Sequence, residues 1–224
     1  MTSIEIAADE IHIWDSPLSV GDDDFARIAE VLSPDESAYA EAFHDVRARR
    51  QYVVSRGMLR RLLSRYVGMS AVDLKFETVG YGKPVLAGDR GVEFNLSHSG
   101  ELVIFAVAAA SRPVGVDLER LRPMPRAVEL ARRYLSPEEN ESIAAAPPEL
   151  RDREFFSSWV RREAHAKAQG ISVWHALESR HRSAIMVSSE REAYSVRLID
   201  YMDEYVAAVA ARGNDWRVVI RGGA

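Results

Sequence analysis

The chain contains no cysteine, which excludes disulfides, thiolate zinc sites and cysteine nucleophiles. It also lacks a long hydrophobic run. The longest apolar stretch, residues 102–110, is far short of the roughly 20 residues a membrane-spanning helix needs. Positive charge is not in excess: 29 Lys and Arg stand against 34 Asp and Glu, a formal net charge of −5. No broad nucleic-acid or anionic-membrane surface is therefore expected, although a local basic pocket remains open. The first ten residues, MTSIEIAADE, are acidic and show no basic stretch followed by an apolar one, so no secretory leader and a cytoplasmic location are expected. There is no GxGxxG or Walker-type loop, so any nucleotide must be held by other means. There is no GxSxG elbow, and His175 and His181 lack the spacing of a zinc helix.

What is present is an ordinary globular composition, 47% hydrophobic and 28% charged over 224 residues, enough for one large domain or two small ones. After a strand candidate at 11–14, Ser33-Pro34-Asp35-Glu36 reads as a helix start, with Ser33 as cap and Glu36 three residues on. A long helix is expected over 45–66, its apolar stripe interleaved with Arg49, Arg50, Arg56, Arg60 and Arg61. Strands are expected at 74–76, 92–96 and 102–108, with the turn Gly80-Tyr81-Gly82-Lys83-Pro84 between the first two. The order then recurs: a helix over 126–134, a second Ser-Pro-acid start at Ser136, a loop over 144–149 and a long helix over 154–169 that stops at Gly170. Strands follow at 184–187, 195–199, 205–210 and 216–220. This predicts an α+β fold of two similar halves, residues 1–112 and 113–224.

Three constellations carry candidate chemistry. In "PVGVDLERL", Asp117 and Glu119 are alternate residues of a strand-like run, so both acids face one side. They are a solvated strand end, or two acids paired with Arg120 and Arg122, or oxygen ligands for a cation such as Mg²⁺, which needs only one or two carboxylates besides waters and phosphates. In "FFSSWVRREAHAKAQG", Trp159, Glu163 and Lys167 recur every four residues on one helix face. That is either an exposed ion pair beside a half-buried aromatic or a functional stripe. In "FNLSHSG", Ser97 and His98 point to opposite sides of a strand, which disfavours His98 as a base for Ser97 and favours hydrogen bonding or phosphate contact. Lys83 is either a phosphate contact or an ordinary turn lysine.

The order and spacing of GYGKPVL, FNLSHSG, GVDLE and the W-x-x-R-E-A-x-x-K box resemble the 4′-phosphopantetheinyl transferase superfamily, in particular its surfactin-synthetase-activating group of two tandem halves. The resemblance spans roughly residues 32–199. It implies transfer of the phosphopantetheine arm of coenzyme A to a serine of an acyl or peptidyl carrier protein, releasing adenosine 3′,5′-bisphosphate. It further implies Asp117, Glu119 and Glu163 as Mg²⁺ ligands, with Glu163 and Lys167 at the reacting phosphate. Lys83, Ser97 and His98 would be coenzyme A contacts, with Arg49, Arg50 and Arg56 as further basic contacts, in a pseudo-dimeric monomer. Two positions depart from the family pattern. Arg162 stands where lysine is frequent, and arginine is a poor proton acceptor at neutral pH. The helix after Ser33 offers Glu36 and Tyr39 where basic residues often hold nucleotide phosphates. A coenzyme A binder without catalysis is the rival reading, encouraged by Arg162 alone.

Overall fold

The computed structural model of the protein describes residues 3–171, 193–200 and 202–224. The chain runs β1 (Glu10–Pro17), α1 (Asp22–Ala29), α2 (Pro34–Glu41), α3 (Val46–Val67), β2 (Phe76–Val79), β3 (Lys83–Leu86), β4 (Val92–Ser99) and β5 (Leu102–Ala109). It continues with β6 (Val114–Arg120), α4 (Ala127–Tyr134), α5 (Pro137–Ala145), α6 (Pro148–Gln169), β7 (Tyr194–Ile199), β8 (Tyr205–Arg212) and β9 (Arg217–Gly223). The class is α+β, as expected. Among the described residues the strands form a sheet ordered β4-β5-β1-β9, a second ordered β6-β8-β7, and the two-stranded ribbon β2-β3.

The layers follow from alternation along the strands. Trp14, Val103, Phe105 and Val107 pack toward Leu59, Leu62 and Leu63 of α3. The intervening Ile11, Ile13, Ile104 and Ala106 instead meet Val116, Leu118 and Val209 of the second sheet. On that sheet's other face, Ala208 and Ala210 lie against Val160, Ala164 and Ala168 of α6. The order is helix, sheet, sheet, helix. β5 is covered on both faces, which explains why its sequence is the longest apolar run of the chain.

Both Ser-Pro starts form complete capping boxes: Ser33 and Glu36 exchange hydrogen bonds at α2, and Ser136 and Glu139 do so at α5. The long helices α3 and α6 have 22 residues each and end on left-handed glycines, Gly68 and Gly170, a conformation costly for any residue with a Cβ.

Several expectations are corrected. The strand expected at 216–220 lies in the first half's sheet, β9 pairing parallel with β1. Its apolar residues supply an edge that the first half leaves open, so proximity in sequence did not decide its partner. The segment 144–149 is mostly helical, because α5 runs to Ala145 and Pro148 opens α6 at the position where a missing N–H costs nothing. The turn holding Lys83 and Pro84 is shorter than expected, and both residues begin β3. Pro84 is tolerated because the ribbon has only two strands. Helix α1 was not expected; its signal is the acidic first turn Asp22, Asp23 and Asp24, which suits a helix N-terminus. The strand expected at 184–187 lies outside the described residues.

Candidate active site

The two sheets meet edge to edge at β4 and β6 without a backbone ladder. Side chains of β4 span the seam instead. Asn95 Oδ1 accepts the Val116 N–H at 2.9 Å, Ser97 Oγ donates to Asp117 Oδ1 at 2.7 Å, and Ser99 Oγ donates to Glu119 Oε2 at 2.9 Å. Helix α6 reaches the same seam because Gly115 has no side chain. A Cβ there would lie 2.2 Å from the Ala164 carbonyl oxygen and 2.3 Å from the Ala168 nitrogen. This close approach places the 159–163–167 stripe of α6 over the β6 carboxylates.

The result is a cleft of about 420 Å³ lined by Leu96, Ser97, His98, Asp117, Leu118, Glu119, Trp159, Glu163 and Lys167. Lys167 Nζ donates to Asp117 Oδ1 at 2.6 Å, to Ser97 Oγ at 3.1 Å and to the Val116 carbonyl at 3.3 Å. Burial pushes the Asp117 carboxyl up from its ordinary pKa, against the pull of Lys167 and of the Ser97 hydrogen bond. Glu163 is pushed up to about 7, first by burial and then by repulsion from Asp117, with Lys167 opposing. Two neighbouring acids in one partly dry cleft resist simultaneous ionisation. Desolvation of the imidazole, and then the Lys167 charge, hold His98 below its usual value. Glu119 accepts from Ser99 and, at 3.1 Å, from Arg122. The sequence-level alternative of an acid paired with Arg122 thus holds for Glu119, while Asp117 has Lys167.

The structure therefore gathers Ser97, His98, Asp117, Glu119, Glu163 and Lys167 in one cleft. It does not bring the other candidates into that lining. Arg49 is exposed on α3. Arg50 pairs with Asp22 at 3.0 Å and lies over the Phe25 ring. Arg56 pairs with Glu36 at 2.5 Å and lies over Phe76. Lys83 is largely buried and donates to the Val114 carbonyl at 3.0 Å, at the opposite end of β6; desolvation lowers its pKa, with Glu93 opposing. Arg162 points to α5, where its guanidinium meets Glu139, and it does not line the cleft. Its departure from lysine thus bears on helix packing and gives no reason to doubt catalysis.

Sequence reasoning missed Asn95 and Ser99. Their signal was present: Asn95, Ser97 and Ser99 are alternate residues, a polar row on one side of a strand. It also missed an adjoining groove of about 230 Å³, lined by Glu119, Arg122, Met124, Leu130, Tyr134, Phe155, Phe156 and Trp159. Glu119 and Trp159 border both cavities.

Hard oxygen donors of this kind suit Mg²⁺. Among the described residues, however, no three His, Asp or Glu side chains are gathered closely enough to hold a metal by themselves. Asp117 is turned to Lys167, and Glu119 to Ser99 and Arg122. The donor set fits an ion that takes its other ligands from substrate phosphate and water. No helix among the described residues is long and apolar enough to cross a membrane.

Comparison with known proteins gives a consistent result. Residues 113–210 match the family described as "4′-phosphopantetheinyl transferase superfamily", and residues 18–111 match "4′-phosphopantetheinyl transferase, N-terminal". The chain is 35% identical to the 4′-phosphopantetheinyl transferase HetI of Nostoc sp., over 96% of this chain and 93% of that protein. It is 27% identical to a 4′-phosphopantetheinyl transferase of Bacillus subtilis, over 90% and 91% of the two chains. Against Sfp of Bacillus subtilis strain 168 it is 28% identical over 74% and 71%.

Proposed function

The chain belongs to the 4′-phosphopantetheinyl transferase superfamily, and from that premise we propose that it transfers phosphopantetheine from coenzyme A to a serine of an acyl or peptidyl carrier protein, releasing adenosine 3′,5′-bisphosphate. The observation that carries this reading is the convergence of Asp117, Glu119, Glu163 and Lys167 on one cleft at the seam of the two sheets. Coenzyme A presents a pyrophosphate, and the serine oxygen attacks its phosphopantetheine-side phosphorus while the bond to the leaving phosphate breaks. Lys167 holds a fixed ammonium where charge builds on the phosphate oxygens. Glu163, with a carboxyl near neutrality in its affinity for protons, is suited to take the proton of the serine hydroxyl. Ser97 orients both Asp117 and Lys167.

Asp117, Glu119 and Glu163 would hold Mg²⁺, which when bound neutralises pyrophosphate charge. Ser97 and His98, at the cleft wall, remain the nearest candidates for phosphate contact. Lys83, Arg50 and Arg56 would contribute only by exchanging their present partners for a phosphate, and Arg49 from the surface. The apolar groove beside Trp159, with α4 and its exposed Arg126, Arg132 and Arg133, suits an acidic helical carrier protein whose serine enters past Glu119. The two halves within one chain suit a monomer.

The deciding experiment incubates the protein with coenzyme A, Mg²⁺ and a panel of apo carrier proteins from fatty-acid, polyketide and nonribosomal systems, and follows carrier mass. Gain of phosphopantetheine on at least one carrier is expected. No gain on any of them overturns the reading.

A further inference from the structure

β4 meets β6 through a row of side chains, and Ser99 occupies its outer end. Its hydroxyl oxygen accepts the Arg120 N–H at 3.0 Å, and its hydroxyl proton goes to Glu119 Oε2 at 2.9 Å. The Arg120 amide is available because Arg120 sits on the edge of β6, with its antiparallel partner Tyr205 on the other side. One bond received and one given leave the short serine side chain little rotational freedom. The other donor to Glu119 Oε2, Arg122, is a long side chain half exposed to solvent; such contacts are screened and readily broken.

We infer that Ser99 is a positioning residue for this reaction, aiming the Glu119 carboxylate into the cleft so that it can share in holding a divalent cation beside the substrate pyrophosphate. The inference rests on the functional reading above. Ser97 stands in the same relation to Asp117, but it also contacts Lys167, so Ser99 is the position at which orientation separates from charge. Residues that hydrogen-bond a metal ligand from behind are worth about 10–100-fold in metal affinity when lost.

The experiment compares wild type, Ser99→Ala and Ser99→Thr with Mn²⁺ as probe in the presence of coenzyme A. Free Mn²⁺ is counted by electron paramagnetic resonance, and carrier loading is measured against metal concentration. Ser99→Ala is expected to weaken Mn²⁺ binding about 10-fold and to raise the half-saturating metal concentration equally. At saturating metal its kcat stays within about twofold of wild type, because no group at the reacting atoms is removed. Ser99→Thr keeps the hydroxyl and restores both values. Unchanged Mn²⁺ affinity in Ser99→Ala overturns the inference, as does a loss of kcat without a loss of affinity. Should Ser99→Ala fail to fold, Ser99→Thr is compared with Ser99→Val, nearly isosteric side chains that differ by a hydroxyl against a methyl; equal affinities in that pair are equally fatal. A wild-type protein that neither binds Mn²⁺ with coenzyme A nor loads a carrier overturns the functional reading together with this one, whereas normal wild-type behaviour with unaltered variants overturns this one alone.

Discussion

The two long helices α3 and α6 occupy matching places in the two halves, yet only one serves the cleft. Arg60 of α3 and Arg162 of α6 stand at the same distance before Gly68 and Gly170. Each pairs with the glutamate of the preceding capping box, Glu36 and Glu139 respectively. One turn further on, the halves diverge. Where α6 carries Lys167 against Asp117, α3 carries Arg65, whose guanidinium lies over the Trp14 ring of β1. Where α6 offers Ala168 to Gly115, α3 offers Tyr66, whose hydroxyl accepts from Trp14 Nε1 at 2.8 Å and meets His12 at 2.6 Å. Large aromatic side chains fill the first half's seam between helix and sheet, whereas glycine and alanine bring helix and sheet together in the second. The same skeleton is thus a packed support on one side and a charged cleft on the other, and the difference lies in a few positions facing the strand.

The sharpest way to test that contrast is to alter the residue that faces the matching cation in each half. Asp117→Asn deletes the carboxylate charge that faces Lys167 and is expected to cost roughly 10²–10³-fold or more in kcat while the fold survives. Trp14→Phe retains the ring under Arg65 but loses the bond to Tyr66. It is expected to cost about 1 kcal/mol of stability and to leave kcat within about twofold. Carrier-loading rates with thermal melts decide it; a Trp14→Phe enzyme as dead as Asp117→Asn would mean that the first half is not merely support.

The next difference is in how deeply the two capping-box ion pairs are buried. Glu36 serves both Arg56 and Arg60, and the Arg60 side chain is 2% exposed. Burial pushes the Glu36 carboxyl up, but hydrogen bonds from Arg60 and the Ser33 amide, with the Arg56 charge, hold it below its ordinary pKa. Arg162 is 9% exposed and its partner Glu139 is 20% exposed. Glu36→Ala would strand a buried guanidinium, with an expected loss of about 3–5 kcal/mol. Glu139→Ala is expected to cost about 1–2 kcal/mol, as for a lost cap with water able to reach the cation. Urea titrations should rank the two in that order; the reverse ranking would undo the account of Arg162 as a packing residue weaker than Arg60.

The comparison also explains what could be read in the sequence. The repeated Ser-Pro-x-Glu start and the glycine stops depend on local backbone chemistry, so the two capping boxes and Gly170 were visible in the residues themselves. The stripe of Trp159, Glu163 and Lys167 was visible because helical spacing fixes a face. The partner of β9 was not, since pairing with β1 joins the two ends of the chain and nothing local specifies it. Arg50 and Arg56 were expected as basic substrate contacts from the resemblance alone, and the sequence does not show which arginines have acids nearby. Asp22 and Glu36 reach them only through tertiary packing. Ser99 was hidden for a similar reason: a polar row on a strand edge has meaning only once the facing edge is known to be β6.

A conditional effect, absent near pH 5, concerns the charge that distinguishes the second half. Glu163 has a folded pKa of about 7 against an ordinary 4.5, so the folded protein holds that proton more tightly than the unfolded chain. The stabilisation is complete below about pH 4.5 and is lost as pH rises through 7. In metal-free buffer Glu163→Gln, which cannot ionise, should be no more stable than wild type near pH 5. It should be more stable by on the order of 1–3 kcal/mol near pH 8, although its transfer activity is lost. Asp117, also raised by burial, acts in the same sense and remains in the variant, so part of the pH dependence should persist. Melting temperatures of both proteins across pH 5–8 measure the gap. A gap that does not widen with pH would show that Glu163 is no more reluctant to ionise than an acid on the surface, and the contrast between the aromatic-packed seam and the carboxylate-lined one would lose its electrostatic basis.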